Sequence, residues 1–328
     1  MSQTTLVVGA GIAGLLLARR LRAAGQPVTV LEKSRGVGGR MATKRVGVAV
    51  FDHGAQFFTT RTPEFNALAT EWAAQGLIRD WTHGPHPRYV SPDGMTGLPK
   101  RLAEGLDVRR EHQVTAARWT GKQWEVEIAN RPALVGDRLA LAAPVAQSLA
   151  LLKAGNVNLP VAVASELVGL DYHPCLALLV VLDEPSVAPA EGLTPTDGSI
   201  RWLADNTKKG ISPDVAAAVT LHARPEFSTA HYAKNASEVA ALLLPEARPW
   251  LRGQVISTTL HRWRYSEPKT THREPCVWLP DLALGFVGDA FGGPKIEGAG
   301  TSGLALARLL GRITAHPSAV GGARRDGG

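Results

Sequence analysis

The chain has 328 residues, 45% hydrophobic and 20% charged, with a formal net charge of +7. That length allows one large or two ordinary domains, and two cysteines, Cys175 and Cys276, are too few for a disulfide scaffold or a zinc site. The basic residues are scattered in pairs such as Arg19-Arg20 and Lys208-Lys209, which argues against nucleic acid and for a small anionic ligand.

No apolar stretch reaches the roughly 18–20 residues of a membrane span. The apolar N-terminus lacks the basic segment that precedes a secretory signal, so a soluble, cytoplasmic protein is expected.

Residues 5–8 form a short apolar β run, followed by Gly9-x-Gly11-x-x-Gly14, a helix ending at Gly25, and a second strand over 27–33 that closes in Glu32. In this order the glycines permit a tight turn, close approach to a pyrophosphate and close helix–strand packing. The helix N-terminus offers free N–H groups to the phosphates, and the Glu32 carboxylate would accept from a ribose diol. Alone, such a loop is an ordinary βα turn; with strand, helix and acid in place it indicates dinucleotide binding, to NAD or FAD alike.

Next comes "SRGVGGRMATKR" over 34–45, a second glycine loop carrying Arg40 where a plain NAD dehydrogenase would continue into another βα unit. "FDHGAQFF" follows at 51–58, with Asp52 and Gln56 as its polar members. Residues 62–76 suggest an amphipathic helix with a Thr-Pro start. His83 and His86 sit in a Gly/Pro loop with no third ligand evident, so no metal is expected. A helix near 97–105 leads to strands over about 107–128, and 137–152 holds a further strand. Residues 175–185 suggest a buried strand and 237–251 one or two helices.

In "SIRWLADN" the alternation places Arg201, Leu203 and Asp205 on one strand face, Trp202 and Ala204 on the other. Lys208 and Lys209 suggest a solvated loop. "HRWRYSEPKTTHR" at 261–273 adds His261 as a further candidate for a site wall and sets Arg264 between Trp263 and Tyr265. Seven glycines crowd residues 285–303, ahead of a good helical run "LALARLLGRI". Such glycines cost backbone entropy, so they need a structural or functional reason.

These late glycines complete a resemblance. "GVGGR" after "EK", the "D-x-G-A" element at 52–55, and "GDAF" with "KIEGAGTSG" at 288–303 are similar to three FAD-binding elements of the flavin amine oxidase superfamily. The short chain, with "FDHGAQFF" and "GDAFGGPKIEGA", looks most like its bacterial renalase group. The resemblance implies an α/β fold: a Rossmann-type FAD-binding domain beside a smaller substrate domain with a mixed or antiparallel sheet, as in hydroxylase-type flavoproteins. It implies noncovalent FAD, for which Gly9, Gly11, Ile12, Ala13 and Gly14 would form the first loop, with Glu32 and Lys33 beyond it. Gly39, Arg40 and Met41 would form the second, with Gln56 beside the flavin and Val114 as a backbone partner for adenine. Asp289, Glu297, Gly298 and Ala299 would form the last, with a helix from Ser302 onward directing its N-terminal dipole at the ring.

The expected organisation is a discontinuous FAD-binding domain (1–57, 97–160 and 274–318), a substrate domain (58–96 and 161–273) and a disordered tail at 319–328. Renalase-like enzymes oxidise the 2- and 6-dihydro isomers of NAD(P)H, hydride passing to flavin N5 and oxygen then yielding hydrogen peroxide. Such a substrate needs orientation rather than a general base. The substrate walls are therefore expected among Gln56, Arg201, Trp202, Asn206, Trp263, Arg264 and Tyr265, although each tryptophan could equally be core packing. A flavin amine oxidase acting on a primary amine or polyamine, a desaturase-like enzyme passing electrons to a carrier, and a dinucleotide sensor without turnover share the same three elements.

Overall fold

The computed structural model describes residues 3–82 and 87–314. The histidines at 83 and 86 and the tail at 319–328 lie outside the described residues. The chain is an α/β protein built on a six-stranded sheet, in the order Val277–Leu279, Leu284–Phe286, Arg138–Leu141, Thr5–Val8, Val28–Leu31, Asp107–Arg109. All neighbours in it are parallel except the first pair. Thr5–Val8 is buried throughout, and it sits between the strand that follows it and one reached only after 130 residues of chain. Strand order therefore reverses at its C-terminal end, where doubly wound sheets bind their ligands.

Helix Ile12–Ala23 leaves that point directly and buries Leu15, Leu16, Leu17 and Leu21. Helix Lys295–Thr314 crosses it, and this corrects the expectation of a helix starting at Ser302: the helix begins seven residues earlier, with three of the late glycines inside it. Packing is the reason. A Cβ at Gly303 would lie 2.2 Å from the Ala13 carbonyl oxygen, one at Gly300 2.4 Å from the Phe65 ring, and one at Gly298 2.0 Å from the Gly293 carbonyl. Glycine gives up helix propensity here so that two backbones can touch.

Among the described residues four further sheets complete the fold, two of them antiparallel two-stranded ribbons, Thr43–Val46 with Ala49–Asp52 and Arg79–Thr82 with Arg88–Val90. A three-stranded antiparallel meander (Val114–Trp119, Trp124–Ile128, Arg131–Gly136) packs its apolar side against the six-stranded sheet. A four-stranded antiparallel sheet runs Ile200–Asp205, Ala217–Ala223, Tyr172–Leu182, Val255–Pro268. One of its faces, with Leu176, Leu178, Leu203, Val219 and Leu221, is covered by helix Ala236–Ala247. That helix starts at a capping box: Asn235 accepts from the Glu238 N–H at 3.0 Å while Glu238 accepts from the Asn235 N–H at 2.9 Å. The other face carries Trp202, His222, His261 and Trp263, and it meets the segment 49–58.

Helix Lys295–Thr314 gives a direct test of the packing argument. Gly303→Ala is expected to destabilise the protein by about 1–3 kcal/mol through overpacking against Ala13. Gly311→Ala, where a Cβ meets nothing within 4 Å, is expected to stabilise it by up to about 1 kcal/mol. Urea unfolding of the two variants checks this; equal effects would remove the close crossing as the reason for the glycines.

Candidate functional site

The first glycine loop divides its labour by position. Gly9 has φ 111°, and its N–H donates to the Leu31 carbonyl at 2.8 Å. Gly14 packs so closely that a Cβ would lie 2.1 Å from the Gly9 carbonyl oxygen. Gly11, the N-cap of helix Ile12–Ala23, has open space beside it and no side-chain cap. Its surroundings leave room for a ligand to approach backbone where a helix N-terminus favours anions. Ile12 and Ala13 form the first, buried turn of that helix.

The second loop lies against the first. The Gly38 N–H donates to the Ala10 carbonyl at 2.8 Å, and a Cβ at Gly39 would sit 3.6 Å from the Gly11 Cα. Gly38 and Gly39 both have positive φ, 109° and 53°, which other residues adopt only under strain. Glu32 is buried, and its carboxylate accepts from the Ala10 N–H at 2.9 Å and the Ser34 N–H at 2.8 Å, so it ties the two loops together. Lys33 is exposed, Met41 is buried, and Val114 opens the meander, packed in the same core cluster as Val8 and Leu31.

Arg40 joins the second loop to the third. Its guanidinium forms a bidentate pair with Asp289 at 2.5 and 2.6 Å and donates to the Ser266 carbonyl at 3.1 Å. Burial works against the Arg40 charge, but the Asp289 carboxylate more than offsets it and raises the pKa. The ring of Tyr172 lies 5.6 Å below the guanidinium, and burial pushes that phenol up to about 12. Beyond Asp289, Gly288 and Gly293 have positive φ and open space where a Cβ would stand. Gly11, Gly288 and Gly293 thus leave bare backbone with room beside it, as a dinucleotide cradle requires.

The segment 49–58 is held from below by an ion pair. Asp52 and Lys209 are both fully buried, 2.5 Å apart, and Asp52 also accepts from the Thr43 hydroxyl at 2.6 Å and the Met95 N–H at 2.8 Å. Lys209 donates further to the Gln56 carbonyl and lies 5.2 Å over the Trp81 ring. Burial lowers the Lys209 pKa while Asp52 acts against that. This corrects the solvated-loop expectation for Lys209. Gly54 follows because nothing larger fits: a Cβ there would be 2.0 Å from the Arg40 carbonyl oxygen and 3.2 Å from the Trp263 ring.

Above this segment, the face of the four-stranded sheet that it packs against forms a wall. In register, Trp202 opposes His222, His222 opposes Ala177, and Ala177 opposes His261, one row across all four strands. The His53 carbonyl accepts from Trp263 Nε1 at 2.7 Å and from His222 Nε2 at 3.0 Å. The His53 ring stacks on Trp263 at 5.2 Å and meets His261 edge-on at 4.5 Å. Burial, then the neighbouring His261 and Lys44, pulls His53 down to about 3; burial pulls His222 down to about 4; burial and Lys44 lower His261. At neutral pH the wall is aromatic and uncharged. Three buried polar atoms at it have no partner, His53 Nδ1, Gln56 Oε1 and Trp202 Nε1, the kind of group a ligand or water satisfies.

Gln56, Trp202 and Trp263 therefore come together, while four other expected residues are engaged elsewhere. Asn206 is fully buried and structural: its amide accepts from the Asp52 N–H at 3.1 Å and donates to the Ala218 carbonyl and the Thr220 hydroxyl, both at 2.9 Å. Arg201 is exposed and paired with Glu267 at 2.6 Å. Arg264 is exposed on the face opposite Trp263, because strand neighbours alternate; Tyr265 packs edge-on against Tyr172 at 5.8 Å. Glu297 holds the chain entering helix Pro63–Ala74, accepting from the N–H groups of Arg61 (2.9 Å) and Thr62 (2.8 Å) and from the hydroxyl of Thr62, the helix N-cap (2.8 Å). His53 and His222 were missed, since isolated histidines 169 residues apart carry no motif, whereas His261 was among the expected wall candidates and does meet His53.

Comparison with known proteins agrees with this geometry. Residues 7–72 match the NAD(P)-binding Rossmann-like domain. Over 94 residues the chain is 39% identical to the putrescine oxidase of Kocuria rosea, covering 29% of this chain and 19% of that protein. Over 103 residues it is 41% identical to the coproporphyrinogen III oxidase of Mycobacterium tuberculosis, covering 30% and 23%. The chain thus spans about a fifth of the length of the curated relatives it matches. Solved structures resemble it throughout. An Exiguobacterium structure provisionally assigned as a protoporphyrinogen oxidase superposes with a TM-score of 0.75 at 13% identity, covering 95% of this chain and 99% of that one. A putrescine oxidase bound to putrescine gives 0.69 at 15%, covering 96% and 100%. A fatty acid isomerase from P. acnes gives 0.67 at 12%, covering 95% and 98%. At such identities the shared property is the fold.

Proposed function

We propose that this chain is an FAD-dependent oxidase that takes hydride from 2- or 6-dihydro isomers of NAD(P)H, giving NAD(P)+ and, with oxygen, hydrogen peroxide. The observation that carries the reading is the uncharged wall that His222, His261, Trp202 and Trp263 form with His53 of the segment 52–56. A dihydropyridine already donates hydride readily, so its oxidation asks for a dry, aromatic surface that orients a neutral ring. The only carboxylate in segment 52–56, Asp52, is sealed by Lys209 and is not available as a base.

The cradle fits FAD. The bare backbone at Gly11 would admit a pyrophosphate at a helix N-terminus, Glu32 would accept from a ribose, and Arg40 with Asp289 would meet the polar chain between ribose and ring. Bound FAD supplies the hydride acceptor and passes the electrons to oxygen. Gln56 Oε1 and Trp202 Nε1 offer an acceptor and a donor to a substrate carboxamide. A second reading, an amine oxidase, is favoured by the identity to putrescine oxidase over 94 residues; the neutral wall gives a protonated amine no counter-charge.

Anaerobic mixing of the yellow protein with isomerised NAD(P)H, and separately with a panel of amines, distinguishes the two through loss of the flavin's visible absorbance. Rapid bleaching by the isomers alone is expected; bleaching by an amine with the isomers inert would overturn the substrate. Gly11→Val tests the cradle. Its side chain enters open space, so the apoprotein should melt close to wild type, while FAD affinity falls at least tenfold, about 1.4 kcal/mol.

The neutral wall also sets a pH dependence. His53 and His222 titrate below their unfolded range, so between pH 6.5 and their folded values the unfolded chain binds more protons, and stability is lost as pH falls. By pH 5 the loss should reach up to about 2 kcal/mol per histidine. Melting temperature against pH should fall in that window and flatten in His222→Gln; a flat wild-type profile would show the histidines to be charged or exposed.

A further inference from the structure

The wall does not end at Trp202. That ring meets Phe57 at 5.4 Å and Trp81 at 6.3 Å, and Trp81 meets Phe57 at 5.9 Å, so three aromatic rings continue the surface outward from His222. Trp81 then lines a cleft of about 430 Å³ together with Arg79, Thr82, Ala190, Glu191 and Lys208. The Arg88 guanidinium stands at its side, 4.6 Å over Phe57 and 5.5 Å over Trp202.

The cations here are oriented by neutral acceptors. Lys208 donates to the Ala188 carbonyl at 2.6 Å, Arg88 to the Glu191 carbonyl at 3.2 Å and Arg79 to the Lys209 carbonyl. A carbonyl fixes a side chain without cancelling its charge, and Glu191 is the one acidic residue among those lining the cleft. A second cleft, of about 450 Å³, lies at the other end of the sheet beside Pro294. Its Arg201 is matched by Glu267 at 2.6 Å and its Lys269 by Asp171 at 2.5 Å, so its positive charge is largely spoken for.

We propose that the first cleft holds the phosphate-bearing half of a dinucleotide substrate. Arg79, Arg88 and Lys208 face the pyrophosphate, Trp81 offers a ring to the base, and the nicotinamide half lies along the histidine wall. This rests on the dihydropyridine reading above. The volume falls in the range of small-molecule sites, aromatic faces stack any base, and exposed cations attract phosphate from a distance set by ionic strength. Glu191 opposes the same ligand, which makes it a residue whose removal should strengthen binding.

The test compares two hydride donors by anaerobic bleaching of the holoprotein: isomerised NADH, and isomerised reduced nicotinamide mononucleotide, which has the ring but lacks the adenosine phosphate. The reading is the ratio of mononucleotide to dinucleotide half-saturation concentrations. That ratio should exceed one in the wild type, fall about tenfold in Lys208→Glu, and rise in Glu191→Gln. Both side chains are exposed, so the variants should fold, which melting temperature verifies. If both donors bleach the protein and neither variant moves the ratio, the cleft is not a phosphate site and the dihydropyridine reading stands. If neither donor bleaches it, the dihydropyridine reading falls and this proposal falls with it.

Discussion

Lys209 and Asp52 meet at 2.5 Å with no solvent on either side, 157 residues apart in the chain. A lone buried charge costs several kcal/mol, so neither residue is tolerated without the other, and deleting one partner of such a pair typically costs about 3–5 kcal/mol. Their union is more than an ion pair. Asp52 also gathers Thr43 and Met95, Lys209 reaches the Gln56 carbonyl, and the Asp52 backbone is held by Asn206 and Thr220. Segment 49–58 is thereby locked at a fixed height under the four-stranded sheet, and the wall above it inherits that precision.

From this anchor the chemistry of the wall follows. The His53 carbonyl is presented to Trp263 and His222 together, which sets both ring planes and makes Nε2 of His222 the protonated nitrogen. Three imidazoles crowd into one region, where burial and mutual repulsion keep them uncharged. On the other side, Gly54 lets the Arg40 backbone pass, and Arg40 carries the alignment on to Asp289. The wall and the glycine cradle are thus joined through one chain of contacts.

Local signals in the sequence were legible where the physics is local. The strand, glycine loop and helix over 5–23 are set by period and by glycine positions, and the helix at 63–74 by Thr62 with Pro63. Trp202 and Ala204 were correctly placed opposite Leu203 because strand alternation needs no partner. Arg264 misled because proximity to two aromatics in sequence places it on the opposite strand face. Glu297 misled because its carboxylate belongs to a helix 235 residues away.

What the sequence by itself determined is the dinucleotide-binding geometry: three glycine elements whose spacing dictates a turn, an exposed backbone and a helix N-terminus. What only the tertiary structure decided is which side chains face the site and in what charge state. Lys208 and Lys209 are adjacent and chemically identical, yet one is exposed and the other fully buried against Asp52. The histidines become a wall only through the register of four strands. Charge state depends on burial and on neighbours distant in sequence, and long-range packing alone supplies both.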